Sequence, residues 1–279
     1  MTTRAIGEVR PSQVITTYGP GAIVDLQTLS VIVAGIDRWP IDENLAIHEP
    51  RLERALRVKQ FYSAKPSEGS FSNRRGTIPA HLFPRYQVCP VCHTLSILEE
   101  GFAEYKPEWQ EIICKAPNCK GRGKYRATTL PAPFIVACPS GHIDDFPWRE
   151  YVHKGVDCRK KMELFSIAKT GTVADIVIRC ECGKTRSASE AFGEHKADVL
   201  GKCTRRRPWL GSNQDSAACS HESDVRAMQR GATNAWFPVV RSALAVKEAA
   251  TPVGIALNAC NAKQIEKIDT VQDYFNLAS

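Results

Sequence analysis

Cysteine is where this sequence concentrates its chemistry. Cys89-Pro-Val-Cys92 is followed, after 21 intervening residues, by Cys114-x4-Cys119, with Gly121 and Gly123 just beyond. Two close thiol pairs, each on a tight turn and joined by a hairpin, suit a tetrahedral Zn2+ ion, and the spacing is that of a zinc ribbon. Four thiolates would leave no open position for water, so the pattern predicts structural rather than catalytic metal; unligated buried thiols or a redox pair are the competing accounts. Cys180-Glu-Cys182-Gly183 places two more thiols on one turn, and Cys203 and Cys219 are expected to complete a second site, with His221 as a substitute for Cys219. Cys138-x3-His142 and His153-x4-Cys158 then offer two sulfurs and two imidazoles for a third site, unless these are hydrogen-bonded structural histidines. Zn2+ is the expected cofactor throughout. Cys260 has no evident partner.

Asp144 and Asp145, with His142, Glu150 and His153 nearby, form the one dense ionisable group suited to a catalytic divalent metal, which defines a metal-dependent nuclease as the enzymatic alternative. Adjacent carboxylates on a strand face opposite ways, so a helix N-cap ahead of Phe146-Pro147-Trp148 explains them more simply. Nothing resembles a Walker or helicase motif, so ATP-driven work would have to come from a partner. Arg205-Arg206-Arg207-Pro208-Trp209 combines charge with an aromatic ring, as phosphate contact plus base stacking requires. The alternative is that Trp209 packs in the core while the arginines pair with acidic groups.

Positioning these residues calls for short strands and turns. Val14–Thr17, Ala22–Leu26 and Val31–Ile36 read as strands around a structural Gly19-Pro20-Gly21 turn. Leu45, Leu52, Leu56 and Val58, interleaved with Arg51, Arg54 and Arg57, predict a basic amphipathic helix beginning after Pro50, either solvated or facing DNA. Ser63–Thr77 reads as a linker, and Ile265, Ile268, Val271 or the adjacent Gln272, and Phe275 as the buried face of a terminal helix that packs on this chain's own core or on a partner. The expected organisation is a β-rich segment with helix and loop (1–83), a zinc-ribbon module (84–130), a second Cys/His-rich domain (131–245) and a tail (246–279).

With 279 residues, 43% apolar and 24% charged, the chain is neither disordered nor fibrous. Its longest apolar run, Val31–Ile36, falls far short of the roughly 20 residues needed to cross a bilayer, so no membrane association is expected. The N-terminus lacks the apolar stretch of a secretory signal, so a cytoplasmic location is expected, where 11 cysteines point to metal rather than to disulfides. The net charge of +7 is unevenly spread: Arg51–Arg75 and Lys115–Arg126 each carry a net +5. Lys120, Arg122 and Lys124 in the second stretch, together with Arg51, Arg54, Arg57 and Arg205–Arg207, are the candidate nucleic-acid contacts.

Four strings resemble one family. Arg10-Pro-Ser-Gln-Val-Ile-Thr-Thr-Tyr-Gly-Pro-Gly-Ala-Ile-Val-Asp25, Ala137-Cys-Pro-Ser-Gly-His-Ile-Asp-Asp-Phe-Pro-Trp148, Arg207-Pro-Trp-Leu-Gly211 and Gln229-Arg-Gly-Ala-Thr-Asn-Ala-Trp-Phe-Pro238 are similar to DrmB, the zinc-rich subunit of the DISARM anti-phage system. The resemblance spans residues 10 to 245. It implies a defence protein that joins a DrmA-like helicase subunit in a DNA-binding complex engaging phage DNA. Members of that family continue beyond the Phe-Pro segment, so the resemblance identifies a half-length relative or N-terminal part; functions of the other half, some helicase contacts among them, lie outside it. The sequence thus predicts an α+β protein with zinc-ribbon modules inserted in a mixed, irregular α/β scaffold. Its expected role is a zinc-binding, non-catalytic subunit of a bacterial antiviral complex, with the nuclease and a pure scaffold as alternatives.

Overall fold

The computed structural model describes residues 7–64, 78–121, 125–168, 172–192, 199–211 and 217–243. The expected terminal helix, Cys260 and nearly all of the 63–77 linker lie outside these. In chain order the elements are α1 (Pro11–Thr16), β1 (Ile23–Asp25), β2 (Ser30–Val33), β3 (Ile41–Ile47), α2 (Pro50–Leu56), β4 (Phe61–Ala64) and β5 (Ala80–Leu82). There follow β6 (Gln87–Val88), β7 (Thr94–Ser96), β8 (Ala103–Lys106), β9 (Glu111–Cys114), β10 (Leu130–Pro131), β11 (Phe134–Ala137) and β12 (Ile143–Asp145). The last are α3 (Trp148–His153), β13 (Met162–Ser166), β14 (Ile176–Cys180), β15 (Thr185–Ser187) and β16 (Arg226–Gln229). Short strands joined by turns dominate, and helices are few.

A six-stranded sheet in the order β10-β6-β7-β13-β14-β15 is the largest; the other described strands form the three-stranded sheets β1-β2-β5 and β12-β11-β16 and the pairs β3-β4 and β8-β9. Strands from the first Cys-rich stretch and from the second share the large sheet, Met162 of β13 standing opposite Leu95 of β7. Two compact units emerge: one runs to Leu45 and from Tyr62 to Val240, and the other contains Ala46–Phe61. All three cysteine-rich regions belong to the first. No helix among the described residues is long and apolar enough to cross a membrane.

Local chemistry explains most elements. Ser30–Val33 is buried throughout, as befits the central strand of its sheet. Pro50 opens α2 with its preset φ, the Glu49 side chain accepts from the Arg51 amide, and Arg57 closes the helix in the left-handed conformation. The expected helix after Pro50 is therefore present. The strand expected at Val14–Thr17 is instead the end of α1, because Pro11 presets the first turn and the Gln13 side chain accepts from the Arg10 amide at 2.9 Å.

The main core packs α3 against the large sheet. Phe146, Trp148 and Tyr151 are fully buried, with ring centroids 4.5 Å apart for Phe146 and Trp148 and 5.0 Å apart for Phe146 and Tyr151. Edge and tilted contacts of this kind add to the area these rings remove from water. Truncating Phe146 to alanine should therefore destabilise the fold by about 3–5 kcal/mol. Chemical denaturation of the metal-loaded protein checks this; a loss below roughly 1 kcal/mol would mean that the aromatic cluster is not the core.

Candidate metal centres

Twelve Cys and His side chains converge in three groups of four. In each group the donor atoms all lie within 4.8 Å of one another. The first group is the expected one, Cys89, Cys92, Cys114 and Cys119. Cys89 leaves β6, and the turn to β7 closes with the His93 amide donating to the Cys89 carbonyl at 2.9 Å, His93 taking a positive φ of 58°. Cys114 ends β9, and the Cys119 amide donates to the Ala116 carbonyl at 3.0 Å. A side chain on Gly121, whose φ is 62°, would collide with the Tyr125 carbonyl, so this turn demands glycine. The sulfurs of Cys89 and Cys119 are 3.7 Å apart, and those of Cys92 and Cys114 are 3.6 Å apart.

The other eight residues pair differently from the expectation drawn from spacing. Cys138 and His142 join Cys203 and Cys219, while His153 and Cys158 join Cys180 and Cys182. Both expected partitions are therefore corrected, although every residue expected to bind metal falls in a group. The β11–β12 hairpin carries Cys138 and His142, and the Ile143 amide donates to the Arg206 carbonyl at 3.1 Å, drawing the Cys203 loop to that hairpin. Helix α3 packs on β14, which sets His153 at its last turn beside Cys180 and Cys182. His221 is exposed and does not replace Cys219; its backbone amide donates to the Cys219 sulfur instead.

These distances can be tested against a metal. A Zn–S bond of about 2.3 Å in a tetrahedron places sulfurs about 3.8 Å apart, and a Zn–N bond of about 2.0–2.1 Å places nitrogen about 3.5 Å from sulfur. Cys138 lies 3.6 Å from Cys203 and 3.8 Å from Cys219, and His142 Nδ1 lies 3.4 and 3.6 Å from Cys138 and Cys203. In the third group Cys158 and Cys180 are 3.8 Å apart, and His153 Nε2 is 3.3 Å from Cys182. A disulfide would need about 2.05 Å, so the sulfurs are unbonded and spaced as tetrahedral ligands. All three groups thus fit a Zn2+ ion of the structural, four-ligand kind.

Supporting groups that spacing could not reveal orient the ligands. Backbone amides two residues onward donate to sulfur at Cys89 (Val91, 3.4 Å) and Cys203 (Arg205, 3.3 Å), and likewise at Cys114, Cys180 and Cys182. The Arg149 carbonyl accepts from His153 Nδ1 at 2.7 Å, leaving the Nε2 lone pair for the metal. The same residue's guanidinium donates to the Cys158 and Lys160 carbonyls at 2.9 Å, holding the Cys158 loop. The thiols titrate apart accordingly. Burial, then the Cys138 thiol, pushes Cys203 up to about 12, and burial with the Cys182 and Cys158 thiols pushes Cys180 up to about 11. The Lys184 amide leads in drawing Cys182 down to about 6, and the Ser140 hydroxyl does so for Cys219, also to about 6.

Neither aspartate caps a helix as expected. Both end β12 and are buried, and Pro147 precedes α3 without a side-chain cap. Asp145 accepts from the Arg85 amide and from Arg85 Nε, each at 2.7 Å. Asp144 accepts from Thr204 Oγ1 at 2.7 Å, from the Asp145 amide at 2.8 Å and from Arg206 Nη1 at 3.2 Å. All four carboxylate oxygens are occupied by protein donors, which leaves them poor ligands for a catalytic ion. Arg206 is thus held by an acidic group, and Trp209 packs in the small core of Ile32, Phe83, Ile135 and Ile143. Arg51, Arg54 and Arg57 are exposed on or beside α2, Lys120 is exposed, and Arg205 and Arg207 are half-buried. Arg122 and Lys124 lie outside the described residues.

A sheet-built protein organised around three Cys and Cys/His quartets is the class these observations define. Residues 10–237 match the family described as a domain of unknown function (DUF8724), and the chain belongs to that family. It is also 29% identical over 221 residues to the DISARM protein DrmB of Bacillus paralicheniformis, a match that covers 78% of this chain. The resemblance read from the sequence is therefore found in the comparison. The match covers 36% of the Bacillus protein, so the chain spans about a third of its relative's length.

The grouping can be tested by metal counting. Cys182→Ser combined with His153→Ala should lose one equivalent of bound zinc, whereas Cys182→Ser combined with Cys203→Ser should lose two. Elemental analysis of the purified variants reads this out, and the reverse pattern would restore the pairing inferred from spacing.

Proposed function

We propose that this chain is a zinc-stabilised, non-catalytic component of a DISARM-like anti-phage complex, in which it partners a DrmA-like helicase and helps to engage DNA. The observation that carries the reading is the similarity to DrmB across 78% of the chain. Three quartets with tetrahedral ligand spacing support a structural role for the metal, because closed four-ligand sites rigidify turns and contribute folding energy. When bound, Zn2+ supplies Lewis-acid cross-links between loops that are distant in sequence. The chain's own residues do the rest: amide donors stabilise the thiolates, and α3 presents His153 in a fixed tautomer.

Engagement of DNA is assigned to basic surfaces rather than to a cleft of catalytic carboxylates, since Asp144 and Asp145 are consumed by Arg85, Arg206 and Thr204. Arg51, Arg54 and Arg57, exposed on or beside α2, are the better phosphate contacts; Arg206 is tied to Asp144.

Co-expression with a helicase encoded beside the gene should yield a stable complex on affinity purification. A folded, zinc-loaded chain that fails to retain the helicase would overturn the partnership. DNA binding by the pair should weaken steeply with salt. Neutralising Arg51, Arg54 and Arg57 should make the slope of log K against log salt shallower by about 0.9 for each phosphate that is no longer neutralised. An unchanged slope would remove α2 from the interface.

A further inference from the structure

A second, smaller feature has no part in the quartets. Between Phe83 and the Pro208–Leu210 turn lies a cavity of about 220 Å3, lined among others by His81, Arg85, Arg206 and the two aspartates of β12. We propose that this cavity is an oxyanion site that takes a phosphate group, a role that does not rest on the helicase partnership.

Asp144 and Asp145 are buried, and every one of their oxygens already accepts a bond from the protein. Their effect is to fix two guanidinium groups in place, as an outer carboxylate fixes a metal-binding histidine. Arg85 spends only Nε on its carboxylate, at 2.7 Å, and Arg206 spends only Nη1, at 3.2 Å. The remaining N–H groups of both forks donate to nothing among the described residues. His81 Nε2 is closed off from solvent and also lacks a partner there.

A third guanidinium reaches the same wall. Arg38 Nη2 lies 3.5 Å from where a side chain on Gly211 would begin, and Gly211 itself has a φ of 85°. Glycine therefore both permits the turn and leaves the space open. Uncommitted N–H groups of Arg85 and Arg206 and the buried His81 Nε2 line one small cavity, with Arg38 beside Gly211 at its wall, and the two carboxylates of that wall are already engaged by protein donors. The N–H groups match a tetrahedral oxyanion, whose several acceptors can take forked N–H pairs. At roughly 30 Å3 per water molecule the cavity holds about seven waters, enough for one phosphate group with some hydration while whatever carries it remains outside.

The test uses the full-length, zinc-loaded chain titrated with inorganic phosphate and, separately, with a short oligodeoxynucleotide. The His81 imidazole resonances are followed by NMR and the affinities by calorimetry. Two variants accompany it. Arg206→Lys keeps a positive charge opposite Asp144 but loses the fork, and Arg38→Gln removes a guanidinium whose ion-pair partner is the exposed Asp37. Saturable movement of the His81 signals, with affinity about tenfold lower in each variant at unchanged thermal stability, is expected from the loss of one charged hydrogen bond. Response to inorganic phosphate identifies a free phosphate or phosphorylated small molecule as the source. Response to the oligonucleotide alone identifies a nucleic-acid backbone phosphate. If neither ligand moves the His81 signals of the folded protein, or if both variants bind as the parent does, the site is not an oxyanion site.

Discussion

Thiol sulfurs held 3.6–3.8 Å apart are the constraint on which the rest of this structure depends. Burial penalises the charge on each thiolate, and neighbours this close add repulsion, which is why Cys203 and Cys180 are pushed above the ordinary thiol range. A divalent cation among four such ligands reverses both penalties at once. With their ends anchored in this way, strands of two to five residues suffice to build the Cys-bearing sheets. Strands this short would be marginal as isolated hairpins.

The three quartets are tied into one unit by shared elements rather than strung along the chain. The turn between β6 and β7 holds Cys89 and Cys92, while β7 continues into the sheet whose strand β14 ends at Cys180. The sequence from β11 through α3 supplies Cys138 and His142 to one quartet and His153 to another. The aromatic core of Phe146, Trp148 and Tyr151 lies between those ligands in sequence. Core packing and ligand placement are therefore parts of one arrangement. Arg149, which binds Glu100 and the Cys158 loop, performs a similar linking role through hydrogen bonds.

Membership of a family of unknown function and similarity to a third of a DISARM protein bear on different questions. The first concerns the scaffold, which spans nearly all of the first unit. The second concerns biological context. At β12 both carboxylates are engaged by protein donors, and the arginines they hold, Arg85 and Arg206, face a small cavity.

The sequence by itself determined which side chains carry the chemistry. Twelve Cys and His residues are identifiable because thiol pairs on short turns are uncommon in other roles, and the first quartet is legible because only 21 residues separate its two pairs. The helix after Pro50 is likewise readable, since proline and the left-handed Arg57 cap act within a few residues. What only the tertiary structure decided was the division of the remaining eight ligands. Cys180 and Cys182 face His153 because α3 packs on β14, and Cys203 reaches Cys138 because backbone pairing joins Ile143 to Arg206. Asp144 and Asp145 resemble helix caps in the sequence for the same reason: their partners Arg85, Thr204 and Arg206 lie about 60 residues away along the chain. Local spacing records which atoms can bind a metal, whereas their grouping depends on contacts between distant strands, whose closure no short motif encodes.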